Sequence, residues 1–99
     1  MKKSLADDEL WEIVGHLKTS PNRYRTLKAL EKNFSLPAEI SRLTGLNPAQ
    51  VSVSLKDLKR RKLVLCLNDK SRKGRIYQAT DLGLEVIRII EKQTEDIKR

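Results

Sequence analysis

Apolar residues recur at three- and four-residue spacing along most of the chain and form a short unbroken run only near residue 63. Leu10, Val14 and Leu17 fall on one stripe of a helix expected from about Asp7 to Leu17. Asp7, Asp8 and Glu9 suit the positive end of its dipole. Ser20-Pro21 then restarts the chain, with Ser as N-cap and Pro at the first helical position. Tyr24, Leu27 and Leu30 give this second helix its buried face, and Phe34 is expected in a short extended segment. A third helix starts near Pro37 and is expected to bury Ile40 and Leu43. At Gly45 the chain must turn through a left-handed conformation that a side chain would penalise, and Leu46 fills the corner. Asn47-Pro48-Ala49-Gln50 repeats the start signal with a near capping box, and a fourth helix to about Lys62 buries Val51, Leu55 and Leu58. The β-prone run Leu63–Leu67, a polar loop and Arg75–Ala79 predict a hairpin. Thr80-Asp81 caps a last helix through about Ile97. Its broad stripe holds Leu82, Val86, Ile89, Ile90 and Ile97, with Leu84 and Ile87 beside it.

These elements predict one domain over residues 1–99, mainly α with a small β-hairpin (an α+β class). A helix-turn-helix spans 37–62, with a hairpin at 63–80 and extra N- and C-terminal helices at 1–19 and 81–99. The apolar stripe of the last helix exceeds what a terminal helix on so short a chain should easily bury. Leu10, Trp11, Val14, Leu82, Val86, Ile89, Ile90 and Ile97 are therefore expected to form a homodimer surface.

Charge sharpens this division. The net charge is +8, but residues 1–17 hold two basic and four acidic groups, residues 18–80 fifteen and four, and residues 81–99 four and five. A basic centre between slightly acidic ends suggests one face for a polyanion and another for something else. No apolar run approaches the ~18 residues of a membrane span, and Met1–Ala6 lacks the apolar stretch of a signal peptide. The single Cys66 leaves no internal disulfide and fits a reducing cytoplasm. Abundant Lys, Arg and Glu with few aromatics hint at a thermophile.

The fourth helix carries the candidate chemistry. Opposite its buried stripe lie Ala49, Val53, Lys56 and Arg60, flanked by Gln50 and Ser52, with Asn47 at its start. Small and polar first turns allow close approach to base edges. Gln50 offers donor and acceptor together, which suits adenine, and Val53 could meet a thymine methyl. Lys56, Lys59, Arg60 and Arg61 lie where a helix leaving a major groove passes phosphates, and amides at the starts of the third and fourth helices can hold phosphate oxygens. The hairpin tip adds Lys70, Arg72, Lys73 and Arg75, with Arg72 or Lys73 able to reach a narrow minor groove. His16 reads as a surface or hydrogen-bonded histidine and Cys66 as a small packed hydrophobe. No nucleophile–base pair, Gly-rich phosphate loop or metal motif appears, so neither an enzyme nor a cofactor or metal site is expected.

Ser20–Leu27, Glu39–Leu46, Gln50–Leu58, Leu63-Val64 and Arg75–Gly83 together resemble the winged helix-turn-helix regulators of the ArsR and MarR type, most closely the short archaeal members. The resemblance covers about seventy residues, Ser20 to Ile90. It implies a homodimeric transcriptional regulator that dimerises through its terminal helices. It also implies DNA contact by Gln50, Ser52, Val53 and Lys56, and wing contact by Arg72, Lys73 and Arg75. Two departures stand out. Such families usually place Gly where this chain has Lys62, so a differently shaped helix-to-strand corner is expected. One Cys and one His fifty residues apart make a thiolate metal sensor improbable and leave any effector open. The expected function is sequence-specific binding of double-stranded DNA by a cytoplasmic, nucleoid-associated regulator. Alternatives are a winged-helix protein-interaction module of transcription or replication machinery, and a non-specific chromosomal DNA-binding protein.

Overall fold

The computed structural model describes residues 7–98, with side chains through residue 95, so Met1–Ala6 and the Ile97 side chain lie outside the described part. Five helices and one hairpin follow in the order α1 (Asp7–Lys18), α2 (Pro21–Ala29), α3 (Pro37–Thr44), α4 (Pro48–Arg60), β1 (Val64–Cys66), β2 (Tyr77–Ala79) and α5 (Asp81–Lys98).

Each boundary has a local cause. Ser20 caps α2, accepting from the Arg23 amide at 3.4 Å, and Pro21 follows. At α3 the Glu39 carboxylate turns back to accept from the Leu36 amide at 2.8 Å. Gly45 ends that helix with φ +78°, and Leu46 is buried in the corner. The α4 cap is reciprocal: Asn47 Oδ1 accepts from the Gln50 amide at 2.8 Å, and Gln50 Oε1 accepts from the Asn47 amide at 2.9 Å. Thr80 serves α5, its hydroxyl accepting from the Gly83 amide at 3.1 Å while donating to the Lys62 carbonyl at 2.7 Å.

The strands pair antiparallel, Val64 with Ala79, Leu65 with Gln78 and Cys66 with Tyr77. The extended segment expected near Phe34 falls at Ser35, which exchanges two backbone hydrogen bonds with Tyr77 at 2.9 and 3.0 Å. This single bridge ties the α2–α3 connection to the hairpin.

One core joins these layers. Leu17, Leu27, Leu30, Ile40, Val51, Leu58, Leu63, Val64, Val86 and Ile87 are buried, with α4 packed on α2 and α3, and α5 on α1 and α2. Three expectations need correction. Leu43 is 70% exposed: α3 is only eight residues long and seats Ile40, so the next turn swings outward. Helix α4 stops at Arg60, two residues early. The corner after it keeps the left-handed shape that a Gly would adopt, because Lys62 itself takes φ +64°. At the other side of that corner Gly83 lies against the Leu63 backbone, where a Cβ would stand 2.2 Å from the carbonyl oxygen.

Candidate nucleic-acid interface

Helix α4 buries Val51, Ser54, Leu55 and Leu58 and leaves Asn47, Ala49, Gln50, Ser52, Val53, Lys56 and Arg60 exposed. Val53 is 68% exposed and gives this face an apolar contact point. Gln50 is doubly engaged by expectation and singly by geometry. Its carbonyl oxygen serves the capping box, which leaves its NH2 group as the free partner for a base. Asn47 likewise spends its side-chain oxygen on the cap. The amide expected to receive phosphate at the start of α4 is therefore taken by Asn47, and the first turn of α3 carries the Glu39 carboxylate.

Between α4 and the hairpin lies a cleft of about 320 Å³ lined by Ser52, Lys56, Arg72, Arg75 and Tyr77. Three cations and two hydroxyls facing one cleft suit an anionic oxygen-rich group. The hairpin tip is held rather than loose. Asn68 Oδ1 accepts from the Ile76 amide at 2.8 Å and its Nδ2 donates to the Gly74 carbonyl at 2.9 Å. Arg75 Nε donates to the Ser71 carbonyl at 2.7 Å, while Lys70, Arg72 and Lys73 stay exposed. Lys59 Nζ reaches Asp69 Oδ1 at 2.8 Å, tying the end of α4 to the tip. That hydrogen bond holds the Lys59 ammonium above its ordinary value and the Asp69 carboxyl below its own.

Behind α4 a charged cluster escaped the sequence reading. Asp57 accepts from Arg23 Nε at 2.8 Å and pairs with His16 Nε2 at 2.7 Å, so α1, α2 and α4 meet at one carboxylate. Arg60, expected on phosphates, reaches Asp57 Oδ1 at 3.3 Å with its side chain still largely exposed. Burial pushes the Asp57 carboxyl up, but the His16 hydrogen bond and the Arg23 and His16 charges carry it below the usual carboxylate range. The only signal in the sequence was a lone acid on a basic helix, which spacing alone could not pair.

No family model matches the chain, and no curated protein is similar to it. Solved structures are. TubR from Bacillus thuringiensis serovar israelensis, bound to 24 bp of tubC, superposes with a TM-score of 0.74 at 14% identity, over 93% of this chain and 99% of that one. S. aureus MepR in its DNA complex gives 0.70 at 16% identity, over 93% and 77%. The homodimeric winged helix-turn-helix DNA-binding domain Mb0332 of Mycobacterium bovis gives 0.68 at 18%, over 96% and 92%. The chain has the winged helix-turn-helix fold. These three neighbours are bacterial, so the archaeal leaning of the sequence resemblance finds no support among them.

In this winged helix the expected dimer residues divide. Val14, Val86 and Ile90 are 2%, 0% and 7% exposed and belong to the chain's own core, so they cannot face a partner. Helices α1 and α2 pack on α5 and cover this part of its apolar stripe. Leu10, Leu82 and Ile89 are half-buried against that core, and Trp11 is 53% exposed. Trp11 and Ile89 line a groove of about 420 Å³ between α1 and α5, rimmed by Glu85, Arg88 and Lys92. His16 is hydrogen-bonded and Cys66 half-buried, its thiol 3.6 Å from Asn68 Oδ1. Among the described residues no group of three His, Cys, Asp or Glu could hold a metal ion, and no helix is long and apolar enough to cross a membrane.

Proposed function

We propose that this chain is a sequence-specific, double-stranded-DNA-binding transcriptional regulator that acts as a homodimer. The observation that carries the reading is the exposed face of α4, small and apolar at Ala49 and Val53, beside a cleft where Lys56, Arg72 and Arg75 converge. A helix about 10–12 Å across fits a major groove about 12 Å wide. In this reading α4 presents Gln50, Ser52 and Val53 to base edges. Lys56, Lys70, Arg72, Lys73 and Arg75 bind the sugar–phosphate backbone or the adjacent minor groove. DNA-bound TubR and MepR and the homodimeric Mb0332 domain support it as folds that do this work. The dimer surface centres on Trp11 and Ile89, with Leu10 and Leu82 beside them, and two recognition helices would enter successive major grooves about 34–36 Å apart. Its place of action would be the cytoplasm, on the chromosome or a plasmid.

Selection of bound duplexes from a random pool, followed by gel shifts across a salt series, tests the reading. A consensus with two-fold symmetry is expected, and for about eight neutralised phosphates a log–log salt slope near −7. Flat salt dependence, or a pool that never converges, would refute sequence-specific binding. The runner-up, a protein-interaction module that has lost DNA binding, predicts no shift of random duplex even at low salt. The basic wing tip and the cation-lined cleft speak against it. A non-specific chromosomal protein would shift every duplex alike.

A further inference from the structure

The flank of α4 opposite the wing cleft carries a second groove, of about 280 Å³. At about 100° per residue, Ser52 and Lys56 stand on one side of the reading face and Gln50 and Ser54 on the other. The groove runs from Gln50, Val53 and Ser54 of α4 to Ser20, Asn22 and Arg23 at the start of α2.

Its polar groups suit an anion. Ser54 is 3% exposed, yet its hydroxyl has no hydrogen-bond partner among the described residues. Among the described residues only the Thr26 hydroxyl is both fully enclosed and unpartnered, so the Ser54 hydroxyl opens onto the groove it lines, where an entering acceptor can meet it. At the start of α2, Pro21 has no N–H, the Arg23 amide turns to Ser20 Oγ and the Tyr24 amide to the Ser20 carbonyl. The Asn22 amide and carboxamide have no partner among the described residues, and the first turn of this nine-residue helix contains no acid. Arg23 is fixed by Asp57 at 2.8 Å and by the His16 carbonyl at 3.4 Å, which uses two of its five donors and leaves three. Because Arg60 shares the same carboxylate, the cluster keeps a positive charge at the groove's edge.

We propose that this groove receives a DNA backbone phosphate from the strand opposite the one engaged in the wing cleft. A helix lying in a major groove has the two phosphate backbones on its two flanks, and here each flank of α4 holds an anion-suited recess. Asn22 and Ser54 donate to the phosphate oxygens, and Arg23, positioned by Asp57, supplies the charge. Asp57 thus acts on binding through Arg23 without touching DNA. The inference rests on α4 being the reading helix.

The test uses the full chain and its selected duplex, carrying single uncharged methylphosphonate groups at each backbone position in turn. Wild type should lose about tenfold in affinity at one phosphate per half-site on the strand that the wing does not touch. Arg23→Gln should abolish sensitivity at that phosphate alone and make the salt slope shallower by about 0.9, while Arg72→Ala should abolish it elsewhere. Should Arg23→Gln fold poorly, Asn22→Asp keeps the question open to decision. An acid in the first turn favours the α2 dipole, so its thermal stability should equal or exceed that of wild type. It should nevertheless bind selected and random duplex about tenfold more weakly, because it repels phosphate. Wild-type affinity in Asn22→Asp, or an unchanged methylphosphonate pattern in Arg23→Gln, would overturn the inference while leaving DNA binding intact. Saturable perturbation of the Asn22 amide by inorganic phosphate, with duplex binding unaffected by either substitution, would make this a free-anion site and overturn it too. If wild type shifts no duplex at all, the reading of α4 fails first and this inference falls with it.

Discussion

Replacing Gly83 by Ala should damage this fold more than its size suggests. The new Cβ would sit 2.2 Å from the Leu63 carbonyl oxygen and 3.2 Å from Leu27 Cδ1, where 3.4 Å is the near limit of ordinary contact. The nearest obstacle is backbone, so α5 and the entry to β1 must separate by roughly 1 Å to restore contact distance. That movement loosens two hydrogen bonds across the corner, Thr80 N to Leu63 O at 3.0 Å and Thr80 Oγ1 to Lys62 O at 2.7 Å. Overpacking costs about 1–3 kcal/mol and each weakened hydrogen bond about 1 kcal/mol. The better helix propensity of Ala returns about 1 kcal/mol. The net loss is about 2–4 kcal/mol, or a fall in Tm of roughly 10–25 °C for a domain of this size. Thermal unfolding followed by circular dichroism measures it, with Gly15→Ala as the control. Gly15 lies in α1 with nothing within 4 Å of its would-be Cβ. There Ala should raise stability by about 0.5–1 kcal/mol. If both substitutions moved Tm upward alike, the tight approach of α5 to the corner would be wrong.

Three further outcomes follow from the same geometry. Lys62→Gly removes a side chain from a left-handed position, relieving about 1–2 kcal/mol but adding unfolded-state freedom of about 0.4–1 kcal/mol. Urea unfolding should show a net gain of about 0.5–1 kcal/mol, and a loss would contradict the strain at this corner. Gln50→Glu keeps the acceptor that the Asn47 amide needs but removes the NH2 donor. Stability should hold or rise while affinity for the selected duplex falls about tenfold or more; equal affinity on wild type and variant would remove Gln50 from base reading. Asp57→Asn should destabilise the protein at pH 7. The Asp57 carboxyl is held below its ordinary value of about 3.8, so its contribution is present above that value and lost as pH falls through the lower folded one. The stability gap between wild type and Asp57→Asn should therefore close on acidification below about pH 4, and a gap independent of pH would show that charge is not its source.

What the sequence made legible is what depends on short-range rules. The caps at Ser20 and Asn47, the turn at Gly45 and the buried stripe Val51–Leu55–Leu58 each follow from residues within one turn of each other. Errors arose where a neighbour distant in sequence decides the outcome. Leu43 matches the buried spacing of Ile40, yet it stands 70% exposed at the rim of an open groove that it shares with Tyr24 and Lys28 of α2. Val86 and Ile90 looked available to a partner until α1 and α2 were folded onto α5. Lys62 shows the reverse case: the backbone corner is set by β1 and Thr80 gripping the chain on both sides, so the residue conforms to it. Asp57 has one local partner in Arg60, three residues on, but those that join it to α1 and α2 lie 34 and 41 positions away and leave no local signature.

The reading face is consequently held in place by groups that do not read. Its first turn is fixed by the reciprocal Asn47–Gln50 cap, its middle by Asp57 bonded to α1 and α2, and its end by Lys59 bonded to Asp69 on the wing. The Lys59–Asp69 pair is exposed and adds little to stability, so its consequence is positional. A helix and wing tied to each other have less backbone left to order on meeting a duplex, and loop ordering is one of the penalties of association. The same arrangement makes Gln50 a point of competition. A base that accepts only from its NH2 group leaves Oε1 wholly to the cap, whereas a bidentate contact to adenine must use the second lone pair of an oxygen whose first is held by the Asn47 amide. The cap therefore limits the orientations in which Gln50 can engage adenine through both of its groups.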